Sequence, residues 1–220
     1  MKYLFFHAHP DDETLSSGAI ICALIAEGHE CLVLTATRGE RGQAVPESVP
    51  PGGDLVEVRM GERARALVAL GARDAGWLGE GPNRAGGCRR IYCDSGMDSP
   101  RPPEDSFCGA EMAEIVADLE AALIHHQPDV LVSYDAAGGY GHRDHIRCHE
   151  AALAAATAIG LAFCEIVTPA WYDVSGHEGR LRAAHEAYRS QFSLGGDTIV
   201  HVGGQTCSIL RAGGLLRHYG

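Results

Sequence analysis

Two short polar clusters hold most of the residues capable of chemistry. The first, His9-Pro10-Asp11-Asp12-Glu13-Thr14, sets two metal-ligand types, His9 and Asp12, on a single turn. The second, Gly138-Gly139-Tyr140-Gly141-His142-Arg143-Asp144-His145, supplies two histidines three residues apart. One imidazole and one carboxylate from the first cluster, with one imidazole from the second, make a set of three ligands. That is the count of a catalytic zinc site, whose fourth position stays open to water. Taken alone, the first cluster reads equally well as a helix cap. Asp12 and Thr14 are capping residues, and negative charge is favoured at a helix N-terminus.

The flanking segments say how such clusters are positioned. Each follows an apolar run, Tyr3-Leu4-Phe5-Phe6 in one case and Val130-Leu131-Val132-Ser133-Tyr134 in the other. Each precedes a helix-spaced stretch of small and apolar residues, Leu15 to Ala26 and Ile146 to Ile159. The order is buried strand, polar turn, then a helix leaving from the strand's C-terminal end, where open α/β sheets bind ligands. Pro10 fixes its own φ and biases His9 toward extended backbone, as a strand end requires. The chain continues in the same alternation. Strands are predicted at 2–7, 30–37, 74–78 and 129–134, and helices at 15–27, 55–70, 110–126 and 145–159. Alternating strands and helices predict a doubly wound, parallel sheet. The last quarter is less regular, with strands expected at 162–167, 170–173, 198–202 and 206–211 and a helix at 178–191.

At 220 residues the chain is read as one domain, residues 1–220, large enough to bury a core unaided. A formal charge of -11 without a Lys/Arg run argues against nucleic acid or an anionic membrane as a partner. No apolar stretch has transmembrane length, and no small-residue cleavage site follows the N-terminal run, which predicts a cytoplasmic protein. The eight cysteines contain no C-x-x-C pair and are read as structural or incidental. The Gly138-Gly139-Tyr140-Gly141 run lacks the spacing of a phosphate cradle, and no G-x-S-x-G elbow occurs. Two long loops, 42–53 and 79–109, are rich in Gly and Pro. The second follows a strand end, so it is expected either to rim the site or to be a surface excursion.

Together, His-Pro-Asp-Asp-Glu after the first strand and Tyr-Gly-His-x-Asp-His much later resemble the PIG-L/LmbE family of zinc-dependent N-deacetylases. Thr37-Arg38-Gly39-Glu40-Arg41-Gly42, and Arg59 with Glu62 ahead of Leu70-Gly71, add to the resemblance, which covers roughly the first three-quarters of the chain. Arg143 stands where the family often has proline. The resemblance implies a Rossmann-like three-layer α/β fold with a mainly parallel sheet and an irregular C-terminal part. It assigns His9, Asp12 and His145 as ligands of Zn2+, with Fe2+ or another divalent transition metal also compatible with these donors. It makes Asp11 the general base, His142 an acid or a stabiliser of the tetrahedral intermediate, and Tyr140 a group that polarises the carbonyl. Asp144 is expected to orient His142, and the match carries a substrate-binding role to Arg59.

The activity so implied is removal of an acetyl group from the amide nitrogen of an N-acetylglucosamine-type amino sugar or conjugate. The partner is then that small molecule, with neither nucleic acid nor membrane, and with room for a homo-oligomer. An amidase acting on a thiol-sugar conjugate or other amide is the neighbouring alternative. A non-catalytic metal- or sugar-binding module is the alternative of a different class.

Overall fold

The first strand is decided by alternation at period two. β1 (Lys2–His7) sends Leu4 and Phe6 into one apolar layer and Tyr3 and Phe5 into the other. A strand covered on both faces requires this. Phe5 and Phe6 are fully buried, and burying a side chain of that size contributes about 1.5–3 kcal/mol. This is a computed structural model, and it describes residues 1–97 and 101–218.

After β1 the chain forms α1 (Asp12–Leu15) and α2 (Gly18–Ala26), where a single helix over 15–27 is predicted. The break falls at Ser17, whose Oγ donates to the Glu13 carbonyl at 3.0 Å and lies 2.9 Å from His7 Nε2. A serine hydroxyl bonding back to the i−4 carbonyl weakens a helix at that point. β2 (Glu30–Thr35) follows, then α3 (Leu55–Leu70), whose Asp54 cap accepts from the Val56 amide and whose Gly71 stop has φ 82°. β3 (Arg73–Trp77) leads into the long loop, and α4 (Met112–His126) precedes β4 (Val130–Ser133). The glycine turn α5 (Gly138–Gly141) opens α6 (Arg143–Ile159).

The last part departs most from expectation. One long strand, β5 (Ala162–Asp173), replaces the two strands expected at 162–167 and 170–173, with a register shift between Val167 and Tyr172. α7 (Glu178–Ala187) stops short of the predicted 191, because the backbone of Ser190 is taken up by Glu62 of α3. β6 (Phe192–Gly195), β7 (Thr198–His201) and β8 (Thr206–Ser208) form a small antiparallel sheet. β9 (Ala212–His218) pairs antiparallel with β5, where the sequence suggests no strand beyond residue 211. A Cβ at Gly213 would come within 2.9 Å of Ile20. The glycine there admits close approach of strand and helix.

The main sheet runs β3-β2-β1-β4-β5-β9, parallel except for the last strand. Residues of α4 and α6 pack on one face, and residues of α2, α3 and α7 on the other. Strand order reverses at β1, between β2 and β4, and the two polar clusters open from the C-terminal ends of β1 and β4. In a doubly wound sheet this switch point is the ligand crevice.

The loop from 79 to 109 is no loose excursion over its described residues. Buried Asp118 of α4 accepts from Arg84 Nη1 at 2.9 Å, from the Ala85 amide at 2.9 Å and from the Tyr92 hydroxyl at 2.8 Å. Residues 98–100 of this expected loop lie outside the described residues. Among the described residues, no helix is long and apolar enough to cross a membrane. All eight cysteines are free thiols.

Candidate active site

The first turn is built around a residue in an unusual conformation. Asp11 has φ 99° and ψ -29°, left-handed backbone at a non-glycine position, which costs energy unless neighbours hold it. That twist lets Asp12 fold back, so that its Oδ2 accepts from the His9 amide at 2.9 Å and from the Tyr134 hydroxyl at 2.7 Å. The same oxygen lies 3.2 Å from His9 Nδ1 and 3.2 Å from His145 Nε2. The turns after β1 and β4 thus meet over one carboxylate. Burial alone would raise the Asp12 carboxyl, but His145 and His9 hold it well below the usual carboxylate range.

His145 Nδ1 faces the Gly138 carbonyl at 3.2 Å, which places its proton there and leaves Nε2 as an acceptor. Nε2 is buried and makes no hydrogen bond, although an Asp12 oxygen stands opposite. Two acceptors face to face call for a cation between them. Ligands about 2.0–2.1 Å from a tetrahedral ion stand about 3.3 Å apart, close to the spacings at Asp12. The two pairs at Asp12, with His9 and with His145, are therefore each spaced to share a divalent ion. One ring nitrogen each of His9, His142 and His145 also lies within 4.8 Å of the other two, so His142 borders the same space.

His9 is held from behind by groups of the second turn and the long loop. Its Nε2 lies 3.1 Å from Asp144 Oδ2 and 3.5 Å from Asp94 Oδ1. Burial disfavours the imidazolium, yet hydrogen bonds to Asp12, Asp144 and Asp94 outweigh it and raise His9 well above its ordinary value. Asp94 is 5% exposed. Burial would raise its carboxyl, but the hydrogen bond to His9 holds it far below the usual range.

Asp144 differs from expectation in its partner. Its carboxylate serves His9, the Ser95 amide at 2.9 Å and the Cys108 thiol at 3.0 Å. Only its backbone reaches His142, with the Asp144 amide donating to Nδ1 at 3.1 Å as an N-cap of α6. The physical reason is the helix start: Nδ1 of His142 is consumed by the cap, and the carboxylate projects toward β1 instead. Burial, with His9 and His145 nearby, pushes His142 down to about 4. At neutral pH it is therefore an uncharged ring whose one proton sits on Nε2.

The other anticipated residues lie at the edges. Tyr140 is 69% exposed, its ring 5.1 Å from that of His145 and 6.1 Å from that of His142. Arg59 is only 3% exposed and turned inward. It donates to the Gly39 carbonyl at 2.9 Å and the Pro10 carbonyl at 2.7 Å, and lies 3.3 Å from Asp11 Oδ2. In these contacts it braces the first turn. Burial pushes the Asp11 carboxyl up to about 8, against the opposing pull of Arg59.

Two residues of the site were not singled out from sequence. Tyr134 is buried and stacks on His145 with ring centroids 4.0 Å apart, while its hydroxyl serves Asp12 and the Ala8 amide. Its signal was available, a tyrosine ending an apolar strand just before the second cluster. Asp94 carried a weaker one, the Asp94-Ser95-Gly96 turn in which Asp94 Oδ1 accepts from the Gly96 amide at 2.7 Å. Nothing local in the sequence tells that this turn folds over His9.

The model of the family described as GlcNAc-PI de-N-acetylase, PIG-L, matches residues 4–156. The chain belongs to that family. Among its PIG-L relatives is a 1D-myo-inositol 2-acetamido-2-deoxy-alpha-D-glucopyranoside deacetylase of Kribbella flavida, 39% identical over 179 residues. That match takes in 77% of this chain and 58% of the relative, so the chain spans little more than half the relative's length. Solved structures of different enzymes share the fold. N,N'-diacetylchitobiose deacetylase from Pyrococcus horikoshii has a TM-score of 0.58 at 22% identity, covering 84% of this chain and 70% of its own. GalB, the 4-carboxy-2-hydroxymuconate hydratase from Pseudomonas putida, has a TM-score of 0.62 at 16% identity, covering 100% and 97%. A deacetylase and a hydratase thus share this PIG-L architecture, so the fold by itself selects neither reaction.

Proposed function

We propose that this chain is a metal-dependent N-deacetylase that hydrolyses the acetamide of an N-acetylglucosamine-type amino sugar or its conjugate. The observation that carries the reading is the Asp12 carboxylate between His9 and His145, with a second carboxylate, Asp11, beside it. The named activity of the Kribbella flavida relative supports the choice of an acetamido sugar.

His9, Asp12 and His145 would hold the ion, and two imidazoles with one carboxylate favour zinc. When bound, a divalent ion there supplies Lewis acidity toward an amide carbonyl and acidifies water toward a pKa of about 7. Asp11 takes the proton of the attacking water. Its carboxyl, pushed up to about 8 by burial, is a stronger base than an exposed aspartate, and its basic form grows as the pH rises toward that value. Arg59 keeps that carboxylate aimed by pairing with one of its oxygens. His142, neutral and protonated on Nε2, donates a hydrogen bond to the oxygen on which charge develops. Tyr140, at the exposed rim, is the second candidate donor. As the C–N bond breaks, the proton held by Asp11 passes to the departing amine. Asp144 and Asp94 fix the His9 ring from behind and make its Nδ1 a better donor to the ion.

The test is Asp11→Asn in zinc-reconstituted protein, with released amine read by fluorescamine against N-acetylglucosamine, its glycosides and thiol-sugar conjugates. Full metal content with turnover lowered about 10²–10⁴-fold is expected, the usual worth of a general base. Undiminished turnover in the variant removes Asp11 from the mechanism.

A further inference from the structure

The end of α7 lies outside the stretch matched by the family model, yet it reaches the catalytic turn. Asp11 is held at φ 99° partly by its own amide, which donates to Glu13 Oε2 at 3.2 Å. A carboxylate two residues on thus closes back on the helix cap, in the manner of a capping box. Glu13 is fully buried, and its other oxygen accepts from the Thr14 hydroxyl at 2.7 Å and the Tyr188 hydroxyl at 2.7 Å. Tyr188 is also fully buried. It is fixed in turn by the segment that follows it, since Glu62 of α3 accepts from the Ser190 amide at 2.8 Å and from its hydroxyl at 2.6 Å. One turn earlier on α3 sits Arg59, which braces Pro10 and Asp11 from the other side.

We propose that Tyr188, acting through the buried Glu13 carboxylate, is a positioning residue for Asp11, so that the C-terminal segment sets the geometry of the base. The proposal rests on the reading of Asp11 as the base. A left-handed aspartate relaxes toward ordinary backbone once its neighbours let go. Removing the Tyr188 hydroxyl frees Glu13 to turn toward Thr14 alone, and the Asp11 amide loses its acceptor. A base displaced by as little as about 1 Å loses up to about 10²-fold in rate.

Tyr188→Phe in the zinc-reconstituted full chain is measured first by hydrogen exchange and then by turnover. Faster exchange is expected in the peptide covering residues 9–15, with unchanged protection in β1 and β4 and unchanged zinc content. On N-acetylglucosamine conjugates, kcat should fall at least about 10-fold with KM held within about 2-fold. In the Asp11→Asn background the same substitution should cost less than about 2-fold, because the group it positions is already gone. Unchanged exchange over residues 9–15 overturns the proposal. Equal losses in both backgrounds, or faster exchange throughout the chain, also overturn it by reducing Tyr188 to a stabilising residue. Full turnover in Asp11→Asn alone sinks the base assignment instead, and the exchange arm still decides whether Tyr188 holds the turn.

Discussion

His9 illustrates how the site works at the scale of single residues. One ring nitrogen faces Asp12, the other faces Asp144 and Asp94, so the ring is oriented by carboxylates on both sides. Groups behind a metal-binding histidine typically contribute 10–100-fold in metal affinity. Asp144→Asn should therefore weaken zinc binding by about that factor while leaving the fold intact, which competition with a chromophoric chelator measures. Tyr134→Phe probes the opposite side. It removes the donor to Asp12 and leaves the buried Ala8 amide without its acceptor. An unsatisfied buried polar group costs about 1–3 kcal/mol, so the urea midpoint should drop by a corresponding amount, with weaker zinc binding besides.

At the scale of elements, both polar turns are legible because each sits at a junction between two hydrophobic periods. The apolar run at Tyr3–Phe6 and the helix spacing after Leu15 bracket the first, and the pattern around Val130 and Ile146 brackets the second. The long loop is another matter. Its ordering depends on Asp118, which lies on a helix 26 to 34 residues further along than these partners. Asp118→Asn leaves Arg84 and Tyr92 with poorer acceptors, and hydrogen bonds to charged groups are worth about 1.5–3 kcal/mol each. Limited proteolysis should then cut first between residues 79 and 109, and turnover should fall as Asp94 loses its place beside His9. Cutting elsewhere first would show that the loop is held by other contacts.

For the whole molecule, the two apolar layers share the sheet, and the second layer brings α7 and the C-terminal strands onto the faces of α2 and α3. His185, on α7, belongs to that layer. It is 2% exposed, its Nδ1 facing the Leu181 carbonyl at 2.8 Å and its Nε2 without a partner, and burial lowers it from its ordinary value. Above the unfolded value near 6.5 both states are neutral, and the stability is fully present. As pH falls below that point the unfolded chain takes up a proton that the folded chain resists. Stability is then lost at up to about 1.4 kcal/mol per pH unit, until the lowered folded value is passed. His185→Gln should make the fall in urea midpoint between pH 7 and pH 5.5 shallower. An equally steep fall would place the sensitivity elsewhere.

What the sequence determined by itself are the features written in neighbouring residues. Strand, polar turn and helix follow from periodicity and from Pro10. Two polar turns at strand ends, one carrying His9 and Asp12 and the other His142 and His145, follow from the same local pattern. Those interactions act within a few residues, so the local pattern contains them. Tertiary structure alone decided the rest. It turned Arg59 inward, gave the Asp144 carboxylate to His9, folded Asp94 over the same ring, added β9 through the close approach at Gly213, and joined Tyr188 to Glu13. Each of these depends on groups far apart in the chain, apart from the backbone choice at Asp144. Which partner a buried polar group finds is set by what the packed layers bring within hydrogen-bond reach, and no local spacing encodes that.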